Sequence, residues 1–153
     1  MLALGFEVGG ARYAVRCSEL LDVVPRVPLR EVPHAPDYIP GQFTFRGAVT
    51  PVVDLTMLMT GRRSDDRLSS RILVAAYPAG GTLRALGLVA ERATEAVRLE
   101  GVGVPPGIEV PEAPYLGELH FDGHHVVQLV RIVELLPDEL RDRLFPAEEG
   151  PAA

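Results

Sequence analysis

His120, Asp122, His124 and His125 form the one cluster in this chain with metal-ligand residue types, and a hairpin could carry His120 toward either of the other two imidazoles. The set is short of a ligand sphere, because no cysteine or second carboxylate lies close by in sequence, and Asp122-Gly123 reads as a turn flanked by strand ends. No metal is expected. Nucleophilic catalysis fares no better: neither Cys17 nor Ser18 stands in a nucleophile elbow or beside a histidine in sequence. The carboxylate pairs Asp65-Asp66 and Glu148-Glu149 fall in polar segments, whereas acid–base work needs carboxylates held in contrasting environments. Gly9-Gly10 and Gly80-Gly81 lack the lysine and helix start of a phosphate cradle, so they read as hairpin turns. No cofactor is expected, and the chemistry left is that of binding. Its focus is Arg46, an isolated charge in PHAPDYIPGQFTFRGAVTPVVDL, residues 33–55, where Pro33, Pro36, Pro40 and Pro51 restrict the backbone.

Composition narrows the partners. The chain has 153 residues, 47% of them apolar, which suits one domain or two small subdomains sharing a core. Its net charge is −6, and the arginines are isolated except at Arg62-Arg63, so no basic stripe exists to neutralise phosphates and nucleic acid is not an expected partner. Lysine and asparagine are absent, so every cationic side chain is a planar, multi-donor guanidinium suited to carboxylates at protein interfaces. The single cysteine excludes an intramolecular disulfide framework, and Cys17 is expected as a buried filler. With no basic leader and no apolar run long enough to span a membrane, the expected location is cytoplasmic.

The elements that position these residues are mostly strands. Leu2, Leu4, Phe6 and Val8 alternate on one face, and Gly9-Gly10 turns the chain into a second strand over Arg12 to Val15. Ser18 to Val24 fits a helical turn or a strand, with Pro25 and Pro28 ending either. Asp54 is placed to cap a short helix running through Met59 and stopped by Gly61. Arg71 to Tyr77 and Leu83 to Val89 pair across PAGGT, the second continuing toward Leu99 as a long bent strand. After a Pro/Gly-rich stretch, Tyr115 to Phe121 and His125 to Ile132 pair across Asp122-Gly123. From Pro137 a short helix places Leu140, Leu144 and Phe145 on one side as a packed cap. Many short strands at hairpin spacing predict an all-β barrel or sandwich, a single closed barrel included.

Around Arg46 the segment reads Pro33, Pro36, Tyr38, Ile39, Gly41, Arg46, Gly47, Pro51, Val52, Asp54, Leu55, and in this it resembles the bacterial chemotaxis coupling proteins, the CheW-like domains. The likeness extends through FEVGGARYAV, LGLVAERATEAVRL and YLGELHFDGHHVVQLVRIVELL. Thr44, Ala90-Glu91 and Arg131 depart from the family's usual asparagine, Val-Asp, and aspartate or asparagine. The resemblance implies an all-β fold of two side-by-side five-stranded SH3-like barrels sharing a core, with a short C-terminal helix. One domain over 1–146 is expected, its barrels dividing near 61–70, the N-terminal strand joining either one, and 147–153 forming a disordered tail.

It also implies a noncatalytic, free-standing adaptor that couples the cytoplasmic tip of a methyl-accepting chemoreceptor to the regulatory domain of a CheA-like histidine kinase, recruited to receptor arrays at the inner face of the membrane. An adaptor of a non-flagellar chemosensory system, controlling pili or a second messenger, and a small metal-dependent enzyme are the alternatives. The implied partner-binding set is Arg46, Gly41, Gly47, Leu20, Leu21, Asp22, Leu88 and Val89, with Leu20 and Val89 on the wall of a groove between the barrels. Plain core is the competing role for the apolar members. For Arg46 it is a salt bridge to Asp54 or Asp22 that braces the connector.

Overall fold

Turn chemistry sets the hairpins of the computed structural model, which describes residues 1–65 and 68–147, without the side chain of Thr94. β1 (Leu2–Val8) and β2 (Ala11–Arg16) meet at Gly9-Gly10, and a 3₁₀ turn (Cys17–Glu19) leads into β3 (Leu20–Pro25). β4 (Gly41–Phe45) and β5 (Ala48–Asp54) meet at Arg46-Gly47. The helix α1 (Leu55–Thr60) is capped by Asp54, which accepts from the Met57 N–H at 3.2 Å, and ends on left-handed Gly61. β6 (Arg71–Ala79) and the 17-residue β7 (Thr82–Arg98) meet at Gly80-Gly81. β8 (Leu116–Phe121), β9 (Val126–Val130), a 3₁₀ turn (Ile132–Glu134) and α2 (Asp138–Leu144) complete the chain.

The pairing closes two five-stranded SH3-like barrels that share β7. Its first half pairs antiparallel with β6 and parallel with β5, and β3 and β4 complete that barrel. Its second half pairs with β1, which continues through β2 and β9 to β8. The N-terminal strand thus lies in the second barrel. The chain passes between barrels at the turn Cys17–Glu19 and again near Ala90–Arg92. On either side of 61–70, where the sequence suggests the division, β5 and β6 both belong to the first barrel. At the crossing in β7, Arg92 takes a positive φ of 53°, its Nε 3.3 Å from a Glu7 carboxylate oxygen. Beside it Glu91 accepts from Thr56 Oγ1 and from the Asp65 N–H, tying α1 and its loop to the shared strand.

Side chains alternate between faces along each strand, so a strand with both faces buried reads as a continuous apolar run. Ile72, Val74, Val52 and Val89 fill the first barrel; Leu73, Ala75, Tyr77, Val53 and Leu88 point the other way, into a core common to both barrels. From the second barrel Leu4, Phe6, Val8 and Val15 enter that common core, while Ala3 and Ala14 turn inward with Val127 and Leu129. Leu2 has the parity of Leu4 but lies beyond the packed region and is exposed. The cap closes over Tyr77, whose ring stacks on Phe145 at 5.6 Å with the Arg84 guanidinium 5.3 Å from the other ring's centroid. Asp122, in the β8–β9 turn, accepts the N–H groups of His125 and His124 at 2.7 and 2.8 Å, which hold its carboxyl below the ordinary value. That contribution to stability is present above the ordinary carboxyl range and is lost as pH falls through the lowered value.

Beyond β3 the chain returns to close the first barrel where Arg30 and Gln42 exchange both backbone hydrogen bonds, at 2.9 and 3.0 Å. Gly41 permits this approach: a Cβ there would lie 2.5 Å from the Arg30 carbonyl oxygen. Gly41→Ala is therefore expected to cost about 1–3 kcal/mol, the range for overpacking. Thermal unfolding followed by circular dichroism should show a Tm lowered by roughly 2–10 °C. An unchanged Tm would contradict this role.

Candidate functional site

Three two-residue hairpin turns among the described residues have positive φ at both central positions, as type I′ turns require. Two of them are Gly-Gly. The third places Arg46 at φ 49° before Gly47 at φ 80°, although the left-handed region costs a side-chain-bearing residue roughly 1–2 kcal/mol. The arginine is held where glycine would be easier. Its guanidinium lies 4.8 Å from the Phe45 ring centroid, and its Nη2 is 3.9 Å from Asp22 Oδ2. Its side chain remains 65% exposed. An exposed pair at that distance contributes about 0–1 kcal/mol, so Asp22 orients the arginine without saturating its donors.

Of the two carboxylates weighed as a brace for Arg46, the structure selects Asp22. Asp54 is buried and committed elsewhere, accepting from the Ser64 N–H at 3.0 Å and Ser64 Oγ at 2.9 Å besides capping α1. Flanking Asp22 on β3, Leu21 and Val23 are exposed, as is Val49 on β5. The first barrel thus carries exposed apolar side chains on β3 and β5 and a guanidinium mounted on a constrained turn. Leu20 is half-buried and packs against the common core. Gly41 is buried and acts through the Arg30 approach.

Leu88 and Val89 are not part of any surface. Both have zero relative exposure, Leu88 in the common core and Val89 inside the first barrel, because β6 and β5 flank β7 on its two edges while its two faces look into separate cores. Val89 therefore does not form a groove wall. The groove between the barrels, about 510 Å³, is lined instead by Arg16 and Glu19, by Ala76 and Pro78 of β6, and by residues of β8 and β9 running to Arg131 and Val133. Arg16 and Arg131 both line it because β2 pairs parallel with β9, and strands so remote in sequence carry no local signal of that pairing.

The histidines do not converge. His120 is buried with its Nε2 3.3 Å from Glu118 Oε2, whereas His124 and His125 are exposed, their rings 6.4 Å apart. Among the described residues no three metal-ligating side chains gather. Asp66 and Glu148-Glu149 lie outside the described residues, as does the expected tail beyond Ala147. Cys17 is half-buried rather than fully buried, and burial pushes its thiol above the ordinary value, opposite to the shift that activates a nucleophile. Purified protein is expected to carry no stoichiometric zinc by elemental analysis. Zinc at one equivalent, lost in a His124→Ala, His125→Ala double variant, would overturn that expectation.

Known proteins share both sequence and fold with this chain. It is 28% identical to the chemotaxis protein CheW of Helicobacter pylori over 71% of its own length, though the match spans only 62% of that relative. It is 25% identical to the chemotaxis protein CheW of Rhizobium meliloti over 98% of its length and 90% of the relative's. The crystal structure of the scaffolding protein TtCheW from Thermoanaerobacter tengcongensis superposes with a TM-score of 0.76, at 18% identity, over 89% of this chain and 87% of that one. The CheW-like domain profile matches residues 2–140, so the chain belongs to the CheW-like domain family.

Proposed function

We propose that this protein is a noncatalytic chemotaxis scaffold that couples the cytoplasmic tip of a chemoreceptor to the regulatory domain of a CheA-like histidine kinase. The observation that carries the reading is Arg46, a guanidinium mounted in a strained two-residue turn and paired with Asp22, whose chain neighbours Leu21 and Val23 are exposed. A fold that spends conformational energy to present donors at its surface, next to apolar side chains, is built for contact with another protein. The resemblance to the coupling family and the chemotaxis relatives favour these two partners. No helix among the described residues is long and apolar enough to cross a membrane. The reading accordingly places the protein in the cytoplasm, drawn to the inner face of the membrane by its receptor. Individual contacts can be weak where many copies engage together.

Titration of the purified protein against the host's own receptor tip and kinase regulatory domain, each alone, tests the proposal. Saturable binding to both is expected. Binding to neither would remove the adaptor reading.

A further inference from the structure

In the wall of the second barrel Gly5 of β1 stands between Ala14 of β2 and Glu95 of β7. Nothing in the backbone requires glycine there. Gly5 has no positive φ, and the register shift between Gly5 and Glu7 is taken up on β7, where Arg92 carries the positive φ instead. A Cβ on Gly5 would meet no atom closer than 3.8 Å, so the position has room for a side chain that the sequence withholds. Glycine inside a strand weakens it, and often marks a place that something else approaches. The unfilled space is a cavity of about 320 Å³, lined by Gly5, Val97 and Val127 and by the charged Glu7, Arg12 and Glu95. Gly5 and Glu7 share the parity of inward-facing Ala3, and Arg12 that of Ala14, so the cavity continues the interior of the second barrel outward. It has no residue in common with the groove between the barrels or with the Arg46 face.

Two of the carboxylates at this cavity are already engaged. Glu7 lies 3.3 Å from Arg92 Nε, and Asp122 accepts two N–H groups of its own turn. Arg12 and Glu95 come from strands on opposite sides of β1, and neither has an ion pair or side-chain hydrogen bond among the described residues. The cavity therefore offers one unused guanidinium and one unused carboxylate beside two valines, in a volume at the lower end of small-molecule sites. A purely anionic ligand would face Glu7, Glu95 and Asp122, and a purely cationic one Arg12 and Arg92. We infer that this cavity binds a small zwitterion of the amino-acid or dipeptide class, with Arg12 taking its carboxylate, Glu95 its ammonium group, and Val97 and Val127 its apolar side chain.

The test is a titration of isotope-labelled protein, followed by NMR, with L-leucine and L-leucylglycine, and with leucinamide and isocaproate, which lack the carboxylate and the ammonium group in turn. Saturable shifts of the Gly5, Arg12, Glu95 and Val97 amides are expected with at least one of the two zwitterions, in the millimolar range. Leucinamide and isocaproate should bind about tenfold more weakly or worse, each having lost one charge-assisted contact, and Arg12→Gln and Glu95→Gln should weaken the zwitterion by a similar factor. Gly5→Val should abolish binding with a Tm at or above that of wild type, because valine suits a strand and its Cβ has room. Should that variant fail to fold, the variants of exposed Arg12 and Glu95 decide alone. Absence of saturable binding by both zwitterions, equal binding of leucinamide and isocaproate, or unchanged affinity in Arg12→Gln and Glu95→Gln would overturn the site.

Discussion

Val89→Asp is expected to abolish the native fold. The residue is fully buried inside the first barrel, packed with Phe45, Val52, Ile72 and Val74. An unpaired buried charge costs at least about 3–5 kcal/mol, a large share of the roughly 5–15 kcal/mol that holds a domain together. Circular dichroism should show a collapsed or strongly lowered thermal transition. Leu21→Asp is the counterpart: 44% exposed on β3, it should shift stability by no more than about 0.5 kcal/mol yet weaken partner binding tenfold or more. A folded Val89→Asp protein, or an unfolded Leu21→Asp protein, would reverse the division between core and surface drawn here.

Arg46→Ala is expected to weaken partner binding ten- to a hundredfold, the equivalent of one charge-assisted contact of about 1.5–3 kcal/mol. Lysine keeps the charge but lacks the planar fork, so Arg46→Lys should recover only part of the loss. The positive φ of the residue allows a sharper separation of folding from function. Glycine suits that backbone, so Arg46→Gly should be at least as stable as wild type while binding as poorly as the alanine variant. The Asp22 pair is too exposed and too long to offset this. Titration of each variant against each partner, beside its thermal melt, checks both halves. Unchanged affinity in folded Arg46→Ala would leave Arg46 a brace for the turn.

What the sequence made legible was local. The Gly-Gly turns, the Asp54 cap, the Gly61 stop, the long β7 and the C-terminal cap are each written in a few adjacent residues whose backbone preferences act alone. Ser18 to Val24 stayed ambiguous between helix and strand because the choice is made elsewhere: β6 supplies the backbone partners that make Leu20–Pro25 a strand. The two parallel pairings, β5 with β7 and β2 with β9, join segments far apart in sequence and leave no trace in either one. From the first follows the burial of Leu88 and Val89, which an alternating pattern alone could place on either face. From the second follows the sharing of one groove by Arg16 and Arg131. Arg46 was visible as an isolated charge in a proline-rich segment, but its strained turn was not, since Phe45-Arg46-Gly47-Ala48 carries only one residue that favours positive φ.

Coupling requires that one copy of the protein hold both partners at once. Sedimentation velocity of a mixture of the protein, the receptor tip and the kinase regulatory domain, at concentrations above both dissociation constants, measures this directly. A ternary complex containing all three chains is expected, absent when this protein is left out. Competition, in which adding one partner displaces the other and only binary complexes sediment, would contradict the adaptor function.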